Sequence, residues 1–167
     1  MLAEEHLGGV AELLEDPAVQ RYTMVPVPVP EGFEREWLQR YEEGRADGTR
    51  EGFAIVDDDG TFLGLALAFA IDREGRELEL GYTVTPAARG RGAATWAVRA
   101  LTEWAMQELE PRRIQLQISA DNAASKRVAE RAGYVYEGTL RSVHFKQGTR
   151  QDMEVWSRVP GDPAPDD

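Results

Sequence analysis

Glu77-Leu-Glu-Leu-Gly-Tyr-Thr-Val84, closed by Thr85-Pro86 and followed by Ala87-Ala-Arg89-Gly90-Arg91-Gly92-Ala93-Ala94, is the stretch on which the reading of this chain turns. Leu78, Leu80, Tyr82 and Val84 alternate with Glu77, Glu79, Gly81 and Thr83, the period of a strand. From Ala93 to Leu109 the period changes: Ala97, Val98, Leu101, Trp104, Ala105 and Leu109 fall on one side of a helix, and Pro111 marks its exit. A glycine-rich turn between a strand and a helix N-terminus points several backbone N–H groups one way, and the helix dipole adds partial positive charge. Gly90 and Gly92 let the backbone approach a ligand without a Cβ in the way, and Arg89 and Arg91 supply countercharge. Such a turn suits a pyrophosphate. Alone it is a weak motif, since an ordinary glycine turn with solvated arginines reads the same.

Working outward, residues 3–15 read as a helix, with Leu7, Val10, Leu13 and Leu14 at helical spacing and Asp16-Pro17 as its stop. Val25-Pro-Val-Pro-Val-Pro30 is a stiff extended connector, because each residue before a proline is biased away from helix. A second helix is predicted over 31–45, with Phe33, Trp37, Leu38 and Tyr41 on one face, serving either as core or as the lip of a cleft. Strands follow at 52–56, 61–71 and 77–84, separated by Asp57-Asp-Asp-Gly60 and Asp72-Arg-Glu-Gly75, an antiparallel meander. Ile114, Leu116 and Ile118 form a strand that, after a helical crossover, runs parallel to the one before it. Asp121-Asn122 can cap a helix ending at Ala132, with Gly133 as its left-handed terminator. Residues 138–146 and 151–158 read as a final hairpin across Gln147-Gly-Thr-Arg150.

At 167 residues the chain fits one domain, placed at 1–159, with a proline-rich tail over 160–167 expected to be disordered. No apolar run approaches the ~20 residues of a membrane span, and the acidic N-terminus lacks the regions of a signal peptide. The expected setting is therefore cytoplasmic, without membrane contact. The absence of cysteine removes disulfides and thiol nucleophiles, and His6 and His144 lie far apart without clustered partners, so no metal site is expected. No Gly-x-Ser-x-Gly elbow exists for a serine hydrolase. The net charge of -11 opposes nucleic-acid binding and favours cationic partners such as amines or basic peptides, unless it serves solubility alone. Arg89, Arg91, Arg99, Arg112, Arg113, Lys126, Arg127 and Arg131 concentrate in the central-to-late part, a distribution that suits one anionic ligand.

Arg89-x-x-Gly92-x-Ala94 resembles the acyl-CoA-binding loop of the GCN5-related N-acetyltransferase (GNAT) superfamily, whose pattern is Gln/Arg-x-x-Gly-x-Gly/Ala. Glu79-Leu-Gly-Tyr82, Asn122-x-x-Ser125, Arg127-Val-Ala129, Ala132-Gly133-Tyr134, Glu137-Gly138-x-x-Arg141 and Gly148-x-x-x-Asp152 are similar to the branch containing the ribosomal-protein N-terminal alanine and serine acetyltransferases. The resemblance implies an α+β (mixed α/β) GNAT fold: a central, mostly antiparallel sheet with one splayed parallel strand pair and helices on both faces. Two departures stand out. Met1 begins almost at the first helix, so the family's first strand is missing or reduced to a residue or two, and the exposed edge leaves a homodimer open. The tyrosine that many members carry seven residues after the Asn is Ala129 here.

The resemblance also distributes roles. Gly81, Tyr82, Thr83 and Val84 would bind the pantetheine arm edge-on and polarise the thioester carbonyl through a backbone N–H. Arg89, Gly90, Arg91, Gly92, Ala93 and Ala94 would hold the pyrophosphate, and Asn122 the pantetheine amide, unless Asn122 is only a helix cap. Ser125 is the candidate donor to the departing thiolate. Glu79 and His144 are the candidate bases, an imidazole with an ordinary pKa near ~6.5 being suited to take an ammonium proton. The expected activity is acetyl transfer from acetyl-CoA to a primary amine, with a protein or peptide N-terminus as acceptor. A small amine (polyamine, antibiotic or amino acid) is the alternative acceptor, and a non-catalytic CoA-binding module the alternative class.

Overall fold

In the computed structural model, which describes residues 1–165, six strands lie side by side in the order β1-β2-β3-β4-β6-β5. They are β1 (Glu51–Val56), β2 (Phe62–Asp72), β3 (Glu77–Val84), β4 (Arg113–Ser119), β5 (Val135–Lys146) and β6 (Thr149–Arg158). Hairpin turns make β1–β2–β3 an antiparallel meander; at the first, the Asp57 carboxylate accepts the N–H groups of Asp59 and Thr61. The one parallel pair is β3–β4, joined by the crossover helix α4 (Ala93–Glu108). The helices α1 (Leu7–Leu14), α2 (Pro17–Tyr22) and α3 (Phe33–Asp47) precede the sheet in sequence, and α5 (Ala123–Arg131) follows β4.

Strand periodicity divides the core in two. Leu65 and Leu67 of β2 pack with Val10, Leu13, Leu14, Leu38 and Tyr41 under α1 and α3. Ala66 and Ala68 face the other way, with Leu78, Leu80, Ile114, Leu116 and Ile118, against Ala97, Val98, Leu101 and Ala105 of α4 and Ala129 of α5. Covered on both faces, β2 reads as a nearly continuous apolar run. Leu13, Leu14, Leu65, Ile114 and Leu116 are 0–2% exposed, each contributing about 1.5–3 kcal/mol by burial. The aromatics of α3 belong to this packing, Tyr41 and Leu38 being fully buried and Phe33 and Trp37 partly so.

Three details differ from the sequence reading. Asp16-Pro17 ends α1 but also starts α2: Asp16 accepts the N–H groups of Ala18 and Val19, and Pro17 occupies the first turn, where its missing N–H costs nothing. The last strand pair begins earlier than 138, at Val135, and closes on a two-residue turn, Gln147 (φ 48°) and Gly148 (φ 74°), rather than four residues. Of the family's first strand, one rung is present: the Leu2 N–H donates to the Gly52 carbonyl at the outer edge of β1 (2.9 Å), with the Leu2 side chain buried. In the tail, the Val159 N–H donates to Asp162 and the Arg158 guanidinium to the Pro163 carbonyl, while residues 166–167 lie outside the described residues.

Candidate active site

The β3–β4 ladder holds for only three rungs, Glu77–Arg113, Leu78–Ile114 and Glu79–Gln115, after which the strands part. The direction of the freed backbone groups follows from alternation. The Thr85 N–H donates to Leu63 on β2, whereas the Arg76 carbonyl accepts from Arg113 on β4. Odd-numbered residues of β3 therefore bond β2; the Leu80 N–H closes the last rung with Gln115, and the Leu80 C=O, both backbone groups of Tyr82 and the Val84 N–H turn into the gap. Backbone polar groups without a ladder partner call for one, and an extended amide-bearing ligand laid between the strands supplies it. Of the four positions singled out from sequence, Tyr82 and Val84 present backbone to the gap; Gly81 and Thr83 spend theirs on β2.

The glycine turn lies at the end of β3. Gly90 (φ 72°) and Gly92 (φ 83°) are left-handed, and a Cβ on either would meet nothing within 4 Å, so these positions need glycine for conformation, not space. Gly92 caps α4 without a side chain, and the first intrahelical bond there is Trp96 N–H to the Gly92 carbonyl. The N–H groups of Ala93, Ala94 and Thr95 thus stay available at the positive end of the dipole. Arg91 is exposed beside them. Arg89 is engaged elsewhere, donating to the Asp16 carboxylate (2.6 Å) and to the Val84 carbonyl (3.3 Å). This contact holds the Asp16 carboxyl below its ordinary range against the opposing effect of burial, helped by the N–H groups of α2.

Across the gap stands the first turn of α5. The Asn122 Oδ1 accepts the Ser125 N–H (3.1 Å), so the cap is made and the amide nitrogen of Asn122 remains for other use. The Ser125 Oγ accepts a hydrogen bond from the Tyr82 hydroxyl of β3 (2.8 Å). Burial pushes the Tyr82 phenol up to about 12, the Ser125 bond opposing. Ala129 is fully buried in the core.

On the opposite face, Glu79 occupies the fork itself. Its Oε2 accepts from Gln115 Nε2 (3.2 Å) and Gln117 Nε2 (3.0 Å), and burial raises its pKa despite both donors. Two residues along β4 from Gln117, the Ser119 hydroxyl bonds Asp121 (2.7 Å) and Gln151 (3.4 Å), and Gln151 lies opposite His144 in the β5–β6 ladder. Glu79 and His144 thus lie on one face of the sheet, separated by the polar side chains of Gln117, Ser119 and Gln151. Both His144 Nε2 and Thr83 Oγ1 are buried without a hydrogen-bond partner among the described residues. A groove of about 320 Å³ is lined by Pro17, Gln20, Arg21, Val27, Lys146, Gln147, Thr149 and Gln151, the last of these the ladder partner of His144. Its wall is α2, which Lys146 holds by donating to the Gln20 and Thr23 carbonyls and which Arg21 ties to Asp121 (2.5 Å).

Several motif residues prove to be structural. Glu137 takes a bidentate pair from Arg113 (2.7 and 2.6 Å) and the Ser157 hydroxyl (2.6 Å), lowering its pKa to about 2. Tyr134 is buried with its hydroxyl on Thr102 (2.7 Å). Asp152 accepts the N–H of Ser142 (2.8 Å), whose φ of 59° marks the irregularity in β5 just before His144. The basic residues do not all converge on one anion: Arg113 serves Glu137, Lys126 serves Glu154 (3.0 Å) and Arg99 the Arg131 carbonyl (2.6 Å). Gln115, Gln117 and the Tyr82 hydroxyl were not foreseen as site groups. Gln115-x-Gln117, polar on alternate positions of an apolar strand, was the available signal.

A sheet forked between parallel strands, with a phosphate-type loop at the end of one and a capped helix at the end of the other, defines a class of enzymes that move an acyl group from an extended carrier. The chain belongs to the acetyltransferase (GNAT) domain family, whose model matches residues 1–135, and is an acyl-CoA-dependent N-acetyltransferase. It is 27% identical over 157 residues to the putative ribosomal N-acetyltransferase YdaF of Bacillus subtilis (strain 168), covering 92% of this chain and 78% of that protein. Its fold matches RimL, a ribosomal L7/L12 alpha-N-protein acetyltransferase solved with coenzyme A, at a TM-score of 0.87 and 20% identity over 95% of this chain and 90% of that one. It matches the spermidine N-acetyltransferase of Vibrio cholerae, solved with CoA and spermine, at 0.84 and 22% over 96% and 94%.

Proposed function

We propose that this protein acetylates the N-terminal amine of a protein or peptide, with acetyl-CoA as donor. The observation that carries the choice of acceptor is the groove that ends at Gln151, the ladder partner of His144: its lining includes Arg21 and Lys146 and no carboxylate. A polyamine, cationic at several nitrogens, has no counter-ion there, whereas a peptide needs one neutral amine at the fork and hydrogen bonds along its backbone. The connector from Val25 to Pro30 adds no acidic residue to that side. The gap-facing backbone of Tyr82 and Val84, the glycine turn and the Asn122 amide would hold the carrier. Glu79 or His144 would take the amine's proton, and Ser125 would meet the sulfur.

Spermidine or another small amine is the second reading, favoured by Glu79, a half-buried carboxylate at the fork. The deciding experiment follows thiol release from acetyl-CoA with Ala-, Ser- and Met-starting peptides beside spermidine and a small-amine panel. Peptide-dependent turnover that falls in His144→Ala and Ser125→Ala supports the proposal; turnover with small amines alone overturns it. We also propose a cytoplasmic homodimer that needs neither nucleic acid nor membrane, and a domain ending near residue 159. No described helix is long and apolar enough to cross a membrane.

A further inference from the structure

We infer that Tyr82 is a positioning residue for the leaving group: by donating to the Ser125 Oγ, it presents the serine hydrogen to the departing thiolate. This rests on the reading of Ser125 as the group that meets the thiol end.

A serine hydroxyl carries one hydrogen and two lone pairs and rotates to suit its neighbours. In the first turn of a helix it commonly bonds the local backbone. Ser125 does neither freely. Its oxygen accepts from Tyr82 at 2.8 Å, and no described group of the chain accepts the Ser125 hydrogen. With one lone pair occupied, that hydrogen is directed away from Tyr82. Tyr82 is built into the fork itself: its backbone faces the gap while its ring packs on the core shared with α4 and α5. The strand that would polarise the thioester carbonyl therefore also fixes the hydroxyl that would meet the sulfur.

The chemistry asks for this arrangement. As the acyl group passes to the amine, a C–N bond forms, the C–S bond breaks with its electron pair left on sulfur, and the amine's proton goes to the base or to water. The sulfur gains negative charge, which an O–H donor stabilises, and a second O–H feeding that donor polarises it further. The phenol is no proton relay. A thiol of ordinary pKa, about 8.5, is a stronger acid than a buried phenol at about 12, so Tyr82 keeps its proton while the thiolate forms. It remains a donor across the working range of pH.

The test uses coenzyme A itself and needs no acceptor. The thiol of bound CoA is titrated by its ultraviolet thiolate absorbance in wild type, Tyr82→Phe, Ser125→Ala and the double variant. Bound to wild type, the thiol is expected to titrate about one unit below the free value, as a charge-stabilising donor requires. Tyr82→Phe and Ser125→Ala each return it most of the way, and the double variant goes no further than Ser125→Ala. Tyr82→Phe keeps the ring, so its melting temperature and CoA affinity should match wild type, while kcat falls about 10-fold at unchanged KM for acetyl-CoA. A thiol in Tyr82→Phe that still titrates where it does in wild type, or additive effects in the double variant, overturns the inference alone. A thiol that ignores Ser125→Ala overturns the reading of Ser125 with it, and failure of CoA to bind overturns both together with the placement of the carrier.

Discussion

Burial and two glutamine donors act on Glu79 in opposite directions, and burial wins, leaving its carboxyl above the ordinary range. As the proposed base Glu79 must be ionised, so turnover should rise with pH through an apparent value above the ordinary Glu pKa of 4.5. In Glu79→Gln that limb of the profile should vanish, with kcat down about 100-fold. Stability runs the other way. A carboxyl raised in the folded state favours the protonated form, so its contribution is full below the unfolded pKa and lost as pH rises through the folded one. Glu79→Gln should therefore melt no lower than wild type at pH 7, and thermal scans will show it. Glu137 has the opposite sign. Arg113 and Ser157 depress it to about 2, so its contribution is present above 4.5 and lost as pH falls toward 2. Glu137 is 41% exposed, so screening keeps the effect below about 1 kcal/mol. Glu137→Gln should lower Tm by no more than about 2–4 °C at pH 7, and the gap to wild type should close on titration from pH 4.5 to 2.

At the scale of elements, the glycine turn and α2 are the parts to perturb. Gly90→Ala and Gly92→Ala each force a side chain into the left-handed region, at about 1–2 kcal/mol. The added Cβ meets nothing, so lost CoA affinity, about 10-fold by calorimetry, would report misdirected N–H groups and not a clash. Asp16→Ala removes the α2 cap, worth about 1 kcal/mol, and releases Arg89; KM for the acceptor should rise while Kd for CoA does not weaken. The elements were largely legible in the sequence because period, caps and glycines are local signals. Helix α2 was not, since Asp16-Pro17 spells both an end and a beginning. At the site, the loop and Asn122-x-x-Ser125 could be read off. Glu137, Tyr134 and Asp152 could not be told from ligand-binding residues, because what they hold (Arg113, Thr102, Ser142) lies on other elements or across a turn. The Tyr82 hydroxyl was hidden for the same reason: its partner is 43 residues away.

For the whole molecule, β5 is the exposed surface that matters. Val135, Tyr136, Leu140, Val143 and Phe145 are 43–58% exposed along an edge strand, which soluble proteins rarely leave uncovered. Light scattering should give twice the 18.6 kDa chain mass, and Phe145→Lys with Val143→Lys should return the monomer; a monomeric wild type would end the dimer proposal. The two walls of the cleft also come from separate stretches of chain. In the proposed function the donor side would be one uninterrupted run from Glu77 to Arg131, and the acceptor side would be the groove lined from residues 17–27 and 146–151. Genes encoding such a layout can exchange one wall without rewriting the other. Laboratory recombination of those two short cassettes is accordingly a direct route to new acceptors on an unaltered donor chassis.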